Sequence, residues 1–169
     1  MKTIRSIFIA LALLAITASV KAQAPGASAE KDVVTAYLDL KNALVADDGA
    51  GAEAKAKVLN TQIAAVQVKD LPAAQQAVWK TYVDKLTFDS RHISETDKID
   101  HQREHFASLS KNMYAVIKSS KANSNDLYLQ YCPMKKASWL SDKNAIENPY
   151  YGKSMMDCGS VKETLKAGK

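Results

Sequence analysis

The sequence predicts a mainly α-helical fold, an antiparallel four-helix bundle that ends in a short strand-and-loop C-terminal cap carrying both cysteines. Before residue 120, apolar residues recur every three to four positions in four segments, which is the spacing of helices that bury one face. After residue 120 the chain becomes rich in aromatic residues, cysteine and methionine. The short connections between the four segments favour an up-down-up-down arrangement.

Residues 1–22 have the pattern of a secretion signal. Lys2 and Arg5 precede an apolar stretch over 7–20, which is too short to span a membrane. The small residues of Val20-Lys21-Ala22 favour cleavage after Ala22, since a cut after Ala24 would place Pro25 next to the scissile bond. We therefore expect a protein secreted to the periplasm, with no membrane anchor in the mature chain. Residues 23–29 form a predicted linker and residues 30–169 one helical domain, whose cap covers 126–169.

The apolar spacing predicts the four helices in order. The first covers about 30–46 and the second about 52–68. Asp70-Leu71-Pro72 offers an N-cap and a first-turn proline to a third helix, which carries its apolar face through Leu86. The fourth and longest helix is predicted over about 92–119.

Two further elements are predicted in the cap. The run Leu127–Tyr131 is rich in aromatic residues and is typical of a short β-strand. Ser160-Val161-Lys162-Glu163 has the form of a capping box, which predicts a short helix near the end of the chain.

Charge excludes one class of partner. The precursor has a net charge of +5, but removal of residues 1–22 leaves 20 basic residues against 18 acidic ones. The sequence also shows no basic stripe interleaved with aromatic residues. We therefore expect no nucleic-acid partner.

Sulfur is the main chemical signal. Cys132 and Cys158 lie in the cap, and Met134 and Met156 each stand two residues from one of them. Thiolates and thioethers together form the soft donor set that Cu(I) and similar metals select, whereas Zn(II) would be expected to recruit histidine or a carboxylate. We predict a soft-metal site with the ligands Cys132, Met134, Met156 and Cys158, and with Met155 and His105 in reserve.

The same cysteines allow a simpler interpretation. An even pair of cysteines in an exported chain is compatible with one disulfide, here Cys132–Cys158, with the methionines as core residues. The two alternatives are compatible if metal binds the reduced pair and is lost on oxidation.

Other motifs carry less chemistry. His101 and His105 share a helix face at the i, i+4 spacing, which suits either a metal or a solvated face, and they lack the glutamate of an HExxH motif. Four aromatic residues of the cap either pack on the bundle or form a binding face: Tyr131, Trp139, Tyr150 and Tyr151. No nucleophile elbow or phosphate-binding loop is present, so we expect no enzyme.

Several motifs resemble one known family. They are His101-Gln102-Arg103-Glu104-His105-Phe106, Leu109-Ser110, Tyr131-Cys132-Pro133-Met134, Trp139-Leu140-Ser141, the run from Ile146 to Lys153, and Met155-Met156-Asp157-Cys158-Gly159. Together they resemble an exported bacterial family, domain of unknown function 3347, which is related to the C-terminal domains of heavy-metal efflux adaptor proteins. The resemblance implies a helical bundle that handles copper, silver or a related metal. In one departure, no histidine follows Cys132-Pro133-Met134, where the short heavy-metal motif has one.

The sequence supports two functional hypotheses. The first is an exported soft-metal-binding protein, a scavenger or carrier linked to heavy-metal handling, with a metal ion and an efflux adaptor or envelope protein as partners. The second is a non-enzymatic interaction or structural domain of the cell envelope, stapled by a Cys132–Cys158 disulfide and docked through the aromatic face.

Overall fold

Four helices and a three-stranded sheet make up the described part of the chain. The computed structural model describes residues 25–168, so the predicted signal segment and its cleavage point lie outside the described residues. The helices are α1 (Pro25–Val45), α2 (Gly49–Ala65), α3 (Ala73–Ser94) and α4 (Ile99–Ser120). The strands are β1 (Leu127–Cys132), β2 (Ala137–Ser141) and β3 (Ser160–Leu165), with 3₁₀ turns at Val68–Asp70 and Gly152–Ser154.

The helices alternate in direction, as predicted. The start of α1 meets the start of α3, where the Trp79 indole N–H donates to the carboxylate of Glu30. The start of α2 meets the start of α4, where the side-chain amide of Gln102 donates to Gly49 O at 2.8 Å. Because consecutive helices join through short connections, these two contacts define an up-down-up-down bundle.

Two predicted helix starts were wrong, those of the first and fourth helices. Helix α1 begins at Pro25, so residues 25–29 are helical and do not form a linker. Helix α3 continues to Ser94 and α4 begins only at Ile99, so His92 belongs to α3. The 95–98 connection contains neither glycine nor proline, and Gln102 stabilises it by donating to Thr96 O at 2.6 Å. The same amide donates to Gly49 O of α2, so Gln102 connects the break between α3 and α4 to another helix.

The sheet has the order β2-β1-β3, and both pairings are antiparallel. The predicted strand is confirmed as β1, and β2 was not predicted. The predicted closing helix over 160–163 was wrong, because this segment pairs with β1 as strand β3. The Glu163 carboxylate accepts hydrogen bonds from Tyr114 Oη at 2.5 Å and Lys118 Nζ at 3.1 Å on α4. Glu163, the glutamate of the predicted capping box, thus fastens the edge strand β3 to α4.

A buried tyrosine joins the sheet to the bundle. Tyr37 of α1 is fully buried and stacks on Phe106 of α4 with ring centroids 5.5 Å apart. Its hydroxyl lies 2.8 Å from Ser110 Oγ and accepts the backbone N–H of Leu140 in β2 at 3.1 Å. The same hydrophobic core contains the other large, fully buried apolar side chains: Leu40, Leu44, Leu59, Trp79, Leu86, Ile93, Leu109, Met113 and Trp139. Sheet and helices therefore share one core.

None of the helices within residues 25–168 is both long and apolar enough to cross a membrane.

Replacing Tyr37 by phenylalanine tests this junction. We expect Tyr37→Phe to lower the free energy of unfolding by about 1–3 kcal/mol, because the buried Leu140 N–H loses its acceptor. Urea denaturation measures the change. The half-buried Tyr82 is the control, and Tyr82→Phe should change stability by less than about 0.5 kcal/mol. Equal effects of the two substitutions would show that the Tyr37 hydroxyl does not hold the sheet.

Candidate functional site

The first cysteine ends a strand. Cys132 is the last residue of β1, pairs with Ala137 of β2, and is fully buried. Residues 133–136 form the hairpin turn between them, and Lys136 adopts a left-handed conformation with φ 56°. The turn folds back over the strand end, which places its backbone N–H groups near the sulfur of Cys132.

The second cysteine lies on the return path of the chain. Cys158 is half-buried and stands just before β3. Gly159 follows it in close contact, since a Cβ there would lie 3.0 Å from the Trp139 ring and 3.1 Å from Tyr131 O. A side chain at 159 would require these neighbours to shift by a few tenths of an ångström. The glycine thus lets Cys158 approach Cys132.

A buried asparagine organises the loop between the two cysteines. The Asn148 side chain donates to Cys158 O at 2.7 Å and accepts the backbone N–H of Tyr150 at 2.9 Å. Its backbone N–H donates to Met156 O at 2.8 Å. Asn148 therefore fixes both ends of the 148–158 loop, and sequence reasoning missed this role.

The structure brings the two thiols together. Their sulfur atoms are 3.3 Å apart and are not bonded to each other. A disulfide needs about 2.0 Å between the sulfurs. A tetrahedral metal with thiolates at about 2.3 Å separates them by about 3.8 Å. The observed distance lies between these values, so a small movement gives either arrangement.

The two thiols differ in acidity. Burial raises the pKa of Cys132, but hydrogen bonds from the backbone N–H of Lys135 and from Cys158 and Asn148 outweigh it, and the pKa lies below its ordinary value. The pKa of Cys158 is raised by its hydrogen bond to Cys132 and by burial. Cys132 is therefore the more acidic thiol of the pair.

The remaining predicted ligands lie at different depths. Met134 projects from the hairpin turn and is 65% exposed, while Met155 and Met156 are half-buried. His105 lies against α3, with its Nδ1 3.1 Å from Asp89 Oδ1. Among the described residues, no three histidine, cysteine or carboxylate side chains are positioned to hold a metal ion. His105 thus does not complete a three-ligand group with the cysteines.

The donor set still fits a soft metal. It consists of two cysteine sulfurs 3.3 Å apart, with methionines two or three residues from them in the sequence, which suits a metal of low coordination number and high affinity for sulfur. The second sulfur is less buried than the first, so a ligand can approach from the Cys158 side. Both cysteines would hold the metal.

The predicted aromatic face is partly internal. Trp139 and Tyr150 are buried, and their rings meet edge to face with centroids 5.8 Å apart. The Tyr150 hydroxyl donates to Ser138 O at 2.7 Å. Tyr131 and Tyr151 are half-buried. These rings therefore act mainly as packing between the cap and the bundle.

An arginine fixes the cysteine loop to the bundle. Arg103 of α4 donates through Nε to Pro149 O at 2.8 Å and through Nη2 to Leu44 O at 3.0 Å. The same Nη2 lies 2.6 Å from the carboxylate of Asp47. Asp47 also accepts the backbone N–H of Lys153, and these two contacts hold the pKa of Asp47 below its ordinary value. One side chain thus joins α1, α4 and the loop that precedes Cys158.

A buried lysine provides a second link. The Lys41 side chain of α1 is completely buried, and its ammonium lies 3.7 Å from Asp142 and 3.8 Å from Glu147 of the cap. No hydrogen-bond partner is found for its nitrogen in the described part of the chain. Burial lowers the pKa of Lys41, although the two carboxylates act in the opposite direction.

Removing the arginine should loosen the cap. We expect Arg103→Met to destabilise the protein by about 3 kcal/mol, because three acceptors lose a charged donor. Thermal or urea unfolding measures this loss. The exposed Arg91, paired with Glu95 at 3.7 Å, is the matched control, and Arg91→Met should cost less than about 0.5 kcal/mol. Equal losses for both variants would contradict a special role for Arg103.

Comparison with known proteins identifies the helical part of the chain. A family model described as a protein of unknown function, DUF3347, matches residues 33–125. The match covers most of α1 and all of the other three helices, and it ends before β1, so both cysteines lie beyond it. No curated protein and no solved structure matches the chain. The match covers more than half of the residues of the chain. The chain therefore belongs to the DUF3347 family of proteins of unknown function.

Proposed function

We propose that this protein is a periplasmic, non-enzymatic binder of a soft metal ion such as Cu(I) or Ag(I), acting as a scavenger or carrier. The observation that carries the proposal is the thiol pair, with its sulfur atoms 3.3 Å apart and the pKa of Cys132 lowered. A cysteine of lowered pKa beside a second thiol suits a thiophilic cation, since such a cation binds the deprotonated sulfur.

The surrounding residues support uptake and retention. Backbone N–H groups of the hairpin turn and the Asn148 amide stabilise negative charge on Cys132. Cys158 gives up its proton when the metal binds. Met134 and Met156, each two residues from a cysteine, are the thioethers that we propose as further ligands, with Met155 in reserve. The exposed position of Met134 suits it to receive or release the metal.

The proposed partner follows from the resemblance of the tail. The tail segments resemble the DUF3347 family, which we take to be related to domains at the end of heavy-metal efflux adaptors, and the Cys-Pro-Met run resembles a short heavy-metal motif without its histidine. Such an adaptor, or another envelope protein, is the partner that we propose for a metal carrier.

Competition with a Cu(I) chelator tests the metal site. We expect the reduced protein to take one Cu(I) per chain from the chelator, and Cys132→Ser or Cys158→Ser to abolish this transfer. Met134→Leu and Met156→Leu should weaken binding without abolishing it. Met113 lies in the bundle core, so Met113→Leu serves as the matched thioether control and should leave binding unchanged. Equal Cu(I) binding by the wild type and the cysteine double variant would refute the proposal.

A second candidate is a disulfide-stapled interaction domain. The same short distance favours it, because oxidation needs only about 1 Å of approach between the sulfurs. Export would expose the pair to oxidising conditions. In this alternative the cysteines hold the cap closed, and the protein docks on an envelope partner.

Thiol counting separates the two candidates. If the disulfide is the functional state, the exported protein should contain no free thiol, and reduction should lower its stability by about 3 kcal/mol because a loop of about 26 residues is released. Thiol titration before and after reduction, followed by urea unfolding, measures both quantities. Two free thiols that Cu(I) protects from alkylation would instead exclude a permanent staple.

A further inference from the structure

The structure gathers all three histidines of the chain on one side of the bundle, away from the cysteines. His92 lies near the end of α3, and His101 and His105 lie in the first two turns of α4. The His105 ring is 4.6 Å from the His92 ring and 4.8 Å from the His101 ring, measured between centroids. Phe88 of α3, 51% exposed, covers the edge of the cluster 4.3 Å from His92.

We propose that His92, His101 and His105 form a binding site for a divalent transition metal ion of the Zn(II) class. Neutral imidazole is a preferred ligand of Zn(II), Cu(II) and Ni(II). Imidazole nitrogens bind Zn(II) at about 2.0–2.1 Å, so two ring centres in a tetrahedral site lie about 5 Å apart. The two observed ring separations are close to that value.

Two further observations point to a ligand at this position. The Nδ1 atom of His92 is buried and has no hydrogen-bond partner among the described residues, a costly state that a metal ion would relieve. His105 Nδ1 is 3.1 Å from the carboxylate of the buried Asp89. A carboxylate that accepts the second ring N–H is the usual partner of a metal-bound histidine, since it fixes the ring and leaves Nε2 free to bind.

Binding requires a small rearrangement. Within residues 25–168 no three such side chains already surround one point, so at least one ring must turn to meet the ion. His101 is exposed and can turn about its side-chain bonds without disturbing the core. Water completes the coordination on that exposed side. Asp89 and packing therefore hold His92 and His105 in place, and His101 is the ligand that turns to complete the site.

This site is chemically distinct from the sulfur pair. It offers three nitrogen donors from two neighbouring helices, whereas the cysteines offer sulfur in the cap. The two sites therefore differ in metal preference. A metal ion bound by the histidines would also link the end of α3 to the start of α4.

Zn(II) titration tests the proposal in a protein whose cysteines are both replaced, Cys132→Ala and Cys158→Ala. We expect one Zn(II) per chain by calorimetry and displaced imidazole C2–H signals of all three histidines by NMR. His101→Gln removes an exposed ligand and should therefore weaken binding while the variant stays folded. Asp89→Asn should weaken it by roughly 10–100-fold and change the tautomer of His105 in ¹⁵N spectra.

The matched control is Glu104→Gln, which alters an exposed residue on the same turns of α4 and should leave affinity unchanged. The NMR measurement is repeated on the reduced wild type, so a folding defect of the cysteine variant does not decide the outcome. Histidine signals that respond to acid but not to Zn(II) would overturn the proposal. Zn(II) binding that survives His101→Gln and His105→Gln undiminished would overturn it as well.

Discussion

The Arg103 guanidinium is the contact on which the arrangement of the cap depends. It extends from the second turn of α4 to the end of α1 and to the loop that leads to Cys158, and it donates to a backbone carbonyl of each. Asp47 neutralises its charge and also receives a backbone N–H of the loop. Gly152 has φ 53°, and a Cβ there would collide with Asp47. This network lets a polar loop lie against the bundle without leaving charge unpaired.

The short distance between the two sulfurs depends on how this network holds the loop against the bundle. Cys132 is placed by strand pairing and a hairpin turn, which are local features, but Cys158 arrives on a chain segment that Asn148 and Arg103 hold in place. Lys41 adds a buried ammonium at the same interface, near two cap carboxylates. The chemistry of the thiols thus depends on residues of α1 and α4, far from either cysteine in sequence. A change in the bundle can alter the distance between the sulfurs.

The sequence allowed prediction of the helices and β1, because their signals are local. Apolar spacing marked the helical segments, and the Leu127–Tyr131 run marked the strand. Features that depend on tertiary contacts were not predictable. The break before Ile99 rests on Gln102, and Ser160–Leu165 is a strand because β1 offers it an edge, despite its capping-box pattern. At the site, sulfur clustering indicated the cysteines, whereas the roles of Asn148 and Arg103 and the convergence of His92 with His105 required the fold.

The tyrosine hydroxyls at β2 have a consequence for association. β2 is an edge strand; its Leu140 N–H donates to the Tyr37 hydroxyl, and its Ser138 C=O accepts from the Tyr150 hydroxyl. An edge whose N–H and C=O groups are already bonded is a poor template for an added strand. Tyr37 and Tyr150 therefore protect the β2 edge of the sheet from pairing with a strand of another molecule. At the other edge of the sheet, the exposed Lys162 of β3 supplies a charge that discourages the same kind of pairing.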